Sequence, residues 1–129
     1  MKWIFASNQS SLENPREDWP RTIRAAVHSA RENTTLEPVM IYDGADSEFI
    51  RELRNLGVTI LNHRLSFYDF IRRYQETNRP GDLHYLQTAA SAFLRVDLPI
   101  LIDRDEFVLY TDCDVMFLKE PRIKDLRPA

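Results

Sequence analysis

Phe107-Val108-Leu109-Tyr110-Thr111-Asp112-Cys113-Asp114-Val115-Met116-Phe117-Leu118 is the stretch from which the fold is read. An apolar and aromatic run enters Asp-Cys-Asp, and a second apolar run follows at once. This pattern predicts a buried strand that delivers two carboxylates at its C-terminal end. Residues i and i+2 of an extended segment point the same way, so Asp112 and Asp114 are expected on one side and Cys113 on the other, toward the core. Burying two carboxylates beside a hydrophobic strand costs several kcal/mol unless they are paired or coordinated. A divalent ion with oxygen ligands is the natural compensation, and Mg²⁺ or Mn²⁺ retains room for phosphate oxygens. Capping of the strand end, or an ion pair with an arginine, would satisfy the same groups without a metal. Cys113 reads as a small buried apolar residue rather than a nucleophile.

The spacing alone is not distinctive, because Asp-x-Asp occurs a second time at Asp103/Asp105. There it lies within Asp103-Arg104-Asp105-Glu106, a charged run that reads as a solvated loop. The apolar neighbours of Asp112 and Asp114 set that pair apart.

Everything upstream reads as an α/β scaffold. Trp3 to Ala6 predicts a short buried strand, and Ser7-Asn8-Gln9-Ser10-Ser11 a polar loop at its C-terminal end, where open α/β sheets collect ligands. Ile23, Ala26, Val27 and Ala30 recur at helical spacing, with Pro20 acceptable near the helix start. Val39-Met40-Ile41-Tyr42 predicts a second strand, closed by Asp43-Gly44. Asp46 is placed to cap a helix whose apolar stripe is Phe49, Ile50, Leu53 and Leu56, with Gly57 at its C-terminus. Val58 to Leu61 predicts a third strand. Ser66 with Asp69 resembles a capping box, followed by Phe67, Phe70, Ile71 and Tyr74 on one face. Leu83, Leu86, Ala90, Phe93 and Leu94 predict a further helix that Pro99 should end. Two consecutive strand–helix–strand units imply a Rossmann-like, mostly parallel sheet with flanking helices.

With 129 residues the chain is expected to be a single domain, 1-129, with a core of its own. Its net charge of −3 gives no reason to expect a nucleic-acid or acidic-membrane partner. The 17 basic residues comprise fourteen Arg and three Lys, and Arg offers a planar fork suited to phosphate and carboxylate. A single cysteine rules out an internal disulfide and suits a reducing compartment. Trp3-Ile4-Phe5-Ala6 is too short for a signal peptide, and no stretch approaches the ~20 apolar residues of a membrane span. A cytoplasmic protein is the expectation that follows.

Three passages together resemble the family 8 glycosyltransferases, the glycogenin and lipopolysaccharide galactosyltransferase group with the GT-A fold. Val108 to Val115 looks like the family's strand ending in a metal-binding DxD. Ala92-Phe93-Leu94-Arg95-Val96-Asp97-Leu98-Pro99 looks like the helix before it, with its Arg-x-x-Leu-Pro ending. Ile4 to Asn8, with Val27-His28-Ser29-Ala30 and Asn33-Thr34, resembles the first strand and helix. The resemblance implies Mn²⁺ (or Mg²⁺) on Asp112 and Asp114, with Asp112 also near the donor ribose. It implies Arg95 at the donor sugar or diphosphate, and Ser7 and Asn8 beside the nucleobase. The implied activity is transfer of a sugar from a UDP-sugar donor to a saccharide or protein acceptor, as a retaining hexosyltransferase.

The family's usual aromatic residue after this Asn is absent, and its third metal ligand, usually a His, has no match. His28, His63 and His84 lie upstream and read as structural or surface residues. The resemblance therefore covers the N-terminal half of such an enzyme, and the isolated chain is expected to be inactive or nearly so. A haloacid-dehalogenase-like phosphatase also places Asp-x-Asp at a strand end, with the first Asp as nucleophile, but it wants Thr or Val where Met116 stands. A non-catalytic nucleotide-binding or interaction fragment is the other alternative. In that case a Phe/Leu/Met patch after Val115 would favour self-association.

Overall fold

A strand covered on both faces is apolar at nearly every position, and two segments of this chain meet that description. The computed structural model describes residues 1–103 and 106–125. In it, β1 (Lys2–Asn8) and β2 (Glu37–Asp43) pair in parallel from Lys2↔Glu37 to Asn8↔Asp43. β3 (Thr59–Asn62) pairs with β2, and β4 (Val108–Tyr110) with β1, both in parallel. The strand order is β3-β2-β1-β4, so the mostly parallel sheet expected is here parallel throughout. The edge strands have four and three residues, too short to offer a long unpaired ladder.

Period-two alternation divides the central strands between two cores. Trp3, Phe5, Met40 and Tyr42 face α2 (Trp19–Asn33) and α3 (Glu48–Asn55), meeting Ile23, Val27, Ile50 and Leu53. Ile4, Val39 and Ile41 face the other way, toward α4 (Tyr68–Asn78) and α5 (Leu83–Ala92), meeting Ile71, Leu86 and Leu94. Helices on both faces of a parallel sheet make a doubly wound α/β fold.

Several local expectations are corrected. β1 runs through Ser7 and Asn8 rather than ending before them, and Asn8 caps a single helical turn, α1 (Gln9–Leu12). The cap of α3 is Ser47, whose hydroxyl accepts from Ile50 N–H at 3.2 Å; Asp46 instead pairs with Arg51 and Arg54. Ser66 and Asp69 form no capping box, because both Ser66 donors turn to Asp97. On α4 the buried face carries Ile71 and Gln75, leaving Phe70 and Tyr74 exposed. The helix over Leu83 tightens at Phe93–Asp97 into a 3₁₀ turn, and Pro99 is the second residue of α6 (Leu98–Leu101), not a terminator. Pro is accommodated in the first turn of a helix, where no intrahelical donor is required of it.

Other expectations agree in detail. Gly57 has φ +89° and closes α3, its N–H reaching Arg54 O and Val58 N–H reaching Leu53 O, each at 3.0 Å. These two bonds make a Schellman motif. Beyond Asp114 the chain crosses the α2 side. Phe117 meets Trp3 edge-on at 4.9 Å between ring centroids, while Met116 and Leu118 are exposed at 66% and 80%. Val115 and Phe117 are thus turned inward, and Met116 and Leu118 are left outside. Among the described residues no helix is long and apolar enough to cross a membrane. Of the first Asp-x-Asp pair, Asp105 lies outside the described residues.

Candidate functional site

From β1 the sheet is wound outward in both directions, to β2 on one side and to β4 on the other. The gap at the C-terminal ends of two such strands is the place where open α/β sheets bind ligands. Here the gap is widened by unequal strand lengths. The last paired residues are Ile4 and Tyr110, and β1 continues four residues beyond, to Asn8. One more bond, from Thr111 N–H to Ile4 O at 3.1 Å, ends the ladder before the chain bends away. The Cys113 thiol then donates to Ala6 O at 3.3 Å, tying the bend back to β1.

Over this splay lies a cleft of about 450 Å³, within the size range of small-ligand sites. Ser7 reaches it from β1, Asp112, Cys113 and Asp114 from the bend after β4, and Arg95 from the 3₁₀ turn. Of the residues singled out from the sequence, four therefore converge: Ser7, Arg95, Asp112 and Asp114. Asn8 does not join them. Its amide donates to Gln87 O at 2.9 Å and its carbonyl oxygen accepts from Ser11 N–H at 2.9 Å, so both ends serve the fold. It lines a neighbouring hollow with Asp43, Arg64 and Tyr68.

The carboxylates correct one premise of the sequence reading. Asp112 and Asp114 stand past the end of β4 and are exposed, while Cys113 between them is buried. Water solvates both charges, so desolvation supplies no argument for a metal, and what distinguishes the pair is its location. Among the described residues neither carboxylate has a cationic partner, nor does Arg95 have an acidic one. No group of three His, Cys, Asp or Glu side chains able to hold a metal occurs among those residues. Burial pushes the Cys113 thiol up to about 12, with the charges of Asp112 and Asp114 adding to it, which keeps the sulfur neutral and unreactive. Burial likewise raises Tyr110 to about 12, Asp112 adding to the effect and Arg95 opposing it.

The turn that carries Arg95 is held from below. Asp97, only 2% exposed, accepts at 2.7 Å from Ser66 N–H, Ser66 Oγ–H and the His63 ring Nε2. Burial works to raise the Asp97 carboxyl, but the bonds from His63 and Ser66 outweigh it and hold the group below its ordinary value. His63 is therefore structural, anchoring the chain after β3 to the Arg95 turn. Sequence reading missed this network, although a charge inside the apolar run Val96-Asp97-Leu98-Pro99-Ile100-Leu101 was a signal that it needed a partner. It also missed Trp19, Asn14 and Glu17, which line the cleft from the loop before α2 and from the first residue of α2. No local motif marks those three, because only the path of the loop brings them in.

Fold and site define a doubly wound α/β domain whose switch-point cleft gathers two aspartates and an arginine. No protein-family model and no curated protein matches the chain. The crystal structure of mouse xyloside xylosyltransferase 1, apo form, is similar to it with a TM-score of 0.47 and 14% identity, over 97% of this chain and 46% of that one. The chain thus spans less than half of that protein's length.

Proposed function

We propose that the chain is the nucleotide-sugar-binding part of a metal-dependent, retaining glycosyltransferase, using a UDP-sugar donor and a saccharide or protein acceptor. The observation that carries the reading is the cleft at the β1/β4 switch point, where two carboxylates, a guanidinium and a serine hydroxyl meet. The sequence likeness to family 8 glycosyltransferases, carried partly by the same residues, agrees with it.

The donor set fits a hard divalent ion. Two aspartates without cationic partners among the described residues match Mg²⁺ or Mn²⁺, which is commonly held by one or two carboxylates and completes its shell with water and phosphate oxygens. Such an ion, when bound, supplies electrostatic relief of the charge developing on the leaving diphosphate. The chain's own groups do the rest. Arg95 donates charge-assisted hydrogen bonds to the phosphate oxygens and has no acidic partner among the described residues to release first. Asp112 accepts from a ribose hydroxyl, and Ser7 stands at the floor beneath the nucleoside. Cys113, neutral and hydrogen-bonded to Ala6, takes no part as a nucleophile.

Calorimetric titration with UDP in the presence of Mn²⁺, comparing the wild type with Arg95→Ala, tests the proposal. A charge-assisted hydrogen bond contributes about 1.5–3 kcal/mol, so the variant should bind roughly 10- to 150-fold more weakly. Equal affinity in the two proteins would remove Arg95 from the site, and failure of the wild type to bind UDP would end the proposal.

A further inference from the structure

Resting on the donor-site reading above, the geometry points to Trp19 as the platform on which the planar base of the nucleotide stacks. Arg95 and Trp19 reach the cleft from opposite faces of the sheet. The 3₁₀ turn carrying Arg95 packs through Leu94 on the α4–α5 side, whereas Trp19 packs with the core of the α2–α3 side. Asp112 and Asp114 rise between them from the bend after β4. A nucleoside diphosphate held at its phosphates by Arg95 and the carboxylate pair has the opposite wall left for its base.

Trp19 suits that role because of what it no longer offers. Its indole N–H is donated to the Glu17 carboxylate, and part of the ring packs on the core, so its orientation is set from two sides. The side chain is half-buried, lines the cleft and has its one polar atom occupied. Ser7, Arg95, Asp112 and Asp114 supply hydroxyl and charge elsewhere in the lining, which suits phosphate, ribose and metal. The other rings there, Tyr110 and His84, are placed differently. Tyr110 lies beside Asp112 at the ionic end, and His84 is exposed on the first turn of α5. A base is flat, weakly hydrated on its faces, and stacks on tryptophan with little dependence on its identity.

The test uses the chain as it is, with UDP and with inorganic pyrophosphate, each with Mg²⁺. Wild type is compared with Trp19→Phe and Trp19→Ala, and circular dichroism confirms that each variant is folded. Tryptophan emission reports the contact directly, since the second indole, Trp3, is fully buried and supplies a constant background. UDP should quench the wild-type emission and pyrophosphate should not, and the UDP quench should vanish in Trp19→Phe. By calorimetry Trp19→Phe should keep its UDP affinity within about threefold, and Trp19→Ala should lose about 5- to 150-fold. If the wild type binds UDP but Trp19→Ala binds it equally well, or if pyrophosphate quenches as UDP does, the stacking assignment is wrong while the donor site stands. If the wild type binds no UDP, both fall together.

Discussion

Replacing Asp97 with alanine should cost about a fifth or more of the stability of the domain. The carboxylate is buried and accepts three bonds of 2.7 Å from two segments, Ser66 at the approach to α4 and His63 after β3. Alanine leaves the Ser66 N–H and hydroxyl and the His63 ring without that partner. Each buried unsatisfied group costs about 1–3 kcal/mol, and loss of one member of a buried ionic cluster about 3–5 kcal/mol. Against a total of about 5–15 kcal/mol this is a large loss. With a urea slope of about 2 kcal/mol/M, the unfolding midpoint should fall by about 1.5–2.5 M. Asparagine retains one acceptor oxygen and should cost roughly half as much.

The pH dependence of the same network has a definite sign. The folded-state value of Asp97 lies below the ordinary 3.8, so its contribution is complete above that value and is lost as pH falls through the lower folded value. Wild type should therefore lose stability below pH ~4 more steeply than Asp97→Asn. A midpoint shift under about 0.3 M for alanine, or identical acid profiles for wild type and asparagine, would refute the reasoning.

Two glycines should fail for different reasons. A Cβ at Gly44 would lie 2.5 Å from the Tyr42 hydroxyl and 2.6 Å from Gln9 Cβ, so Gly44→Ala should cost about 1–3 kcal/mol by overpacking. Gly57 has open space around it but φ +89°, so Gly57→Ala should cost about 1 kcal/mol through backbone strain alone; thermal unfolding checks both. Cys113, buried and with its thiol pushed up to about 12, should resist a thiol reagent at neutral pH in the folded protein. It should react rapidly once urea unfolds the chain, and fast native labelling would contradict its placement against Ala6.

The fold was legible where the physics is local or periodic. Trp3-Ile4-Phe5 and Val39-Met40-Ile41-Tyr42 are apolar at successive positions because both of their faces are covered, and such runs separated by amphipathic helices leave few alternatives to a doubly wound sheet. Caps were harder. Asp46 and Ser47 are both good N-caps, and the choice between them depends on Arg51 and Arg54 drawing Asp46 away. The Ser66/Asp69 pattern failed because Asp97, 31 residues later, competes for both Ser66 donors. Pro99 misled because the chain re-enters a helix after a 3₁₀ turn instead of leaving it.

At the site, the apolar neighbours of Asp112 and Asp114 and the family resemblance for Arg95 and Ser7 single out four residues that the fold brings to one cleft. Asn8 was drawn away by a capping bond that only the next turn reveals. The exposure of the two aspartates was missed because a run of apolar letters around Asp-Cys-Asp suggests a strand longer than the three residues that pair. Trp19 carries no periodic or motif signal for the site at all; it reaches the cleft as the first residue of α2.

Thermal melting with UDP, with and without Mn²⁺, beside an Asp112→Asn/Asp114→Asn variant is the most direct test of the donor site. A ligand that binds only the folded state raises its stability, by about 2.7 kcal/mol at a hundredfold excess over Kd. The account predicts a rise in Tm of several degrees that requires both UDP and Mn²⁺ and is absent in the double variant. A cooperative melt indifferent to both ligands, or a double variant stabilised as much as the wild type, would contradict it.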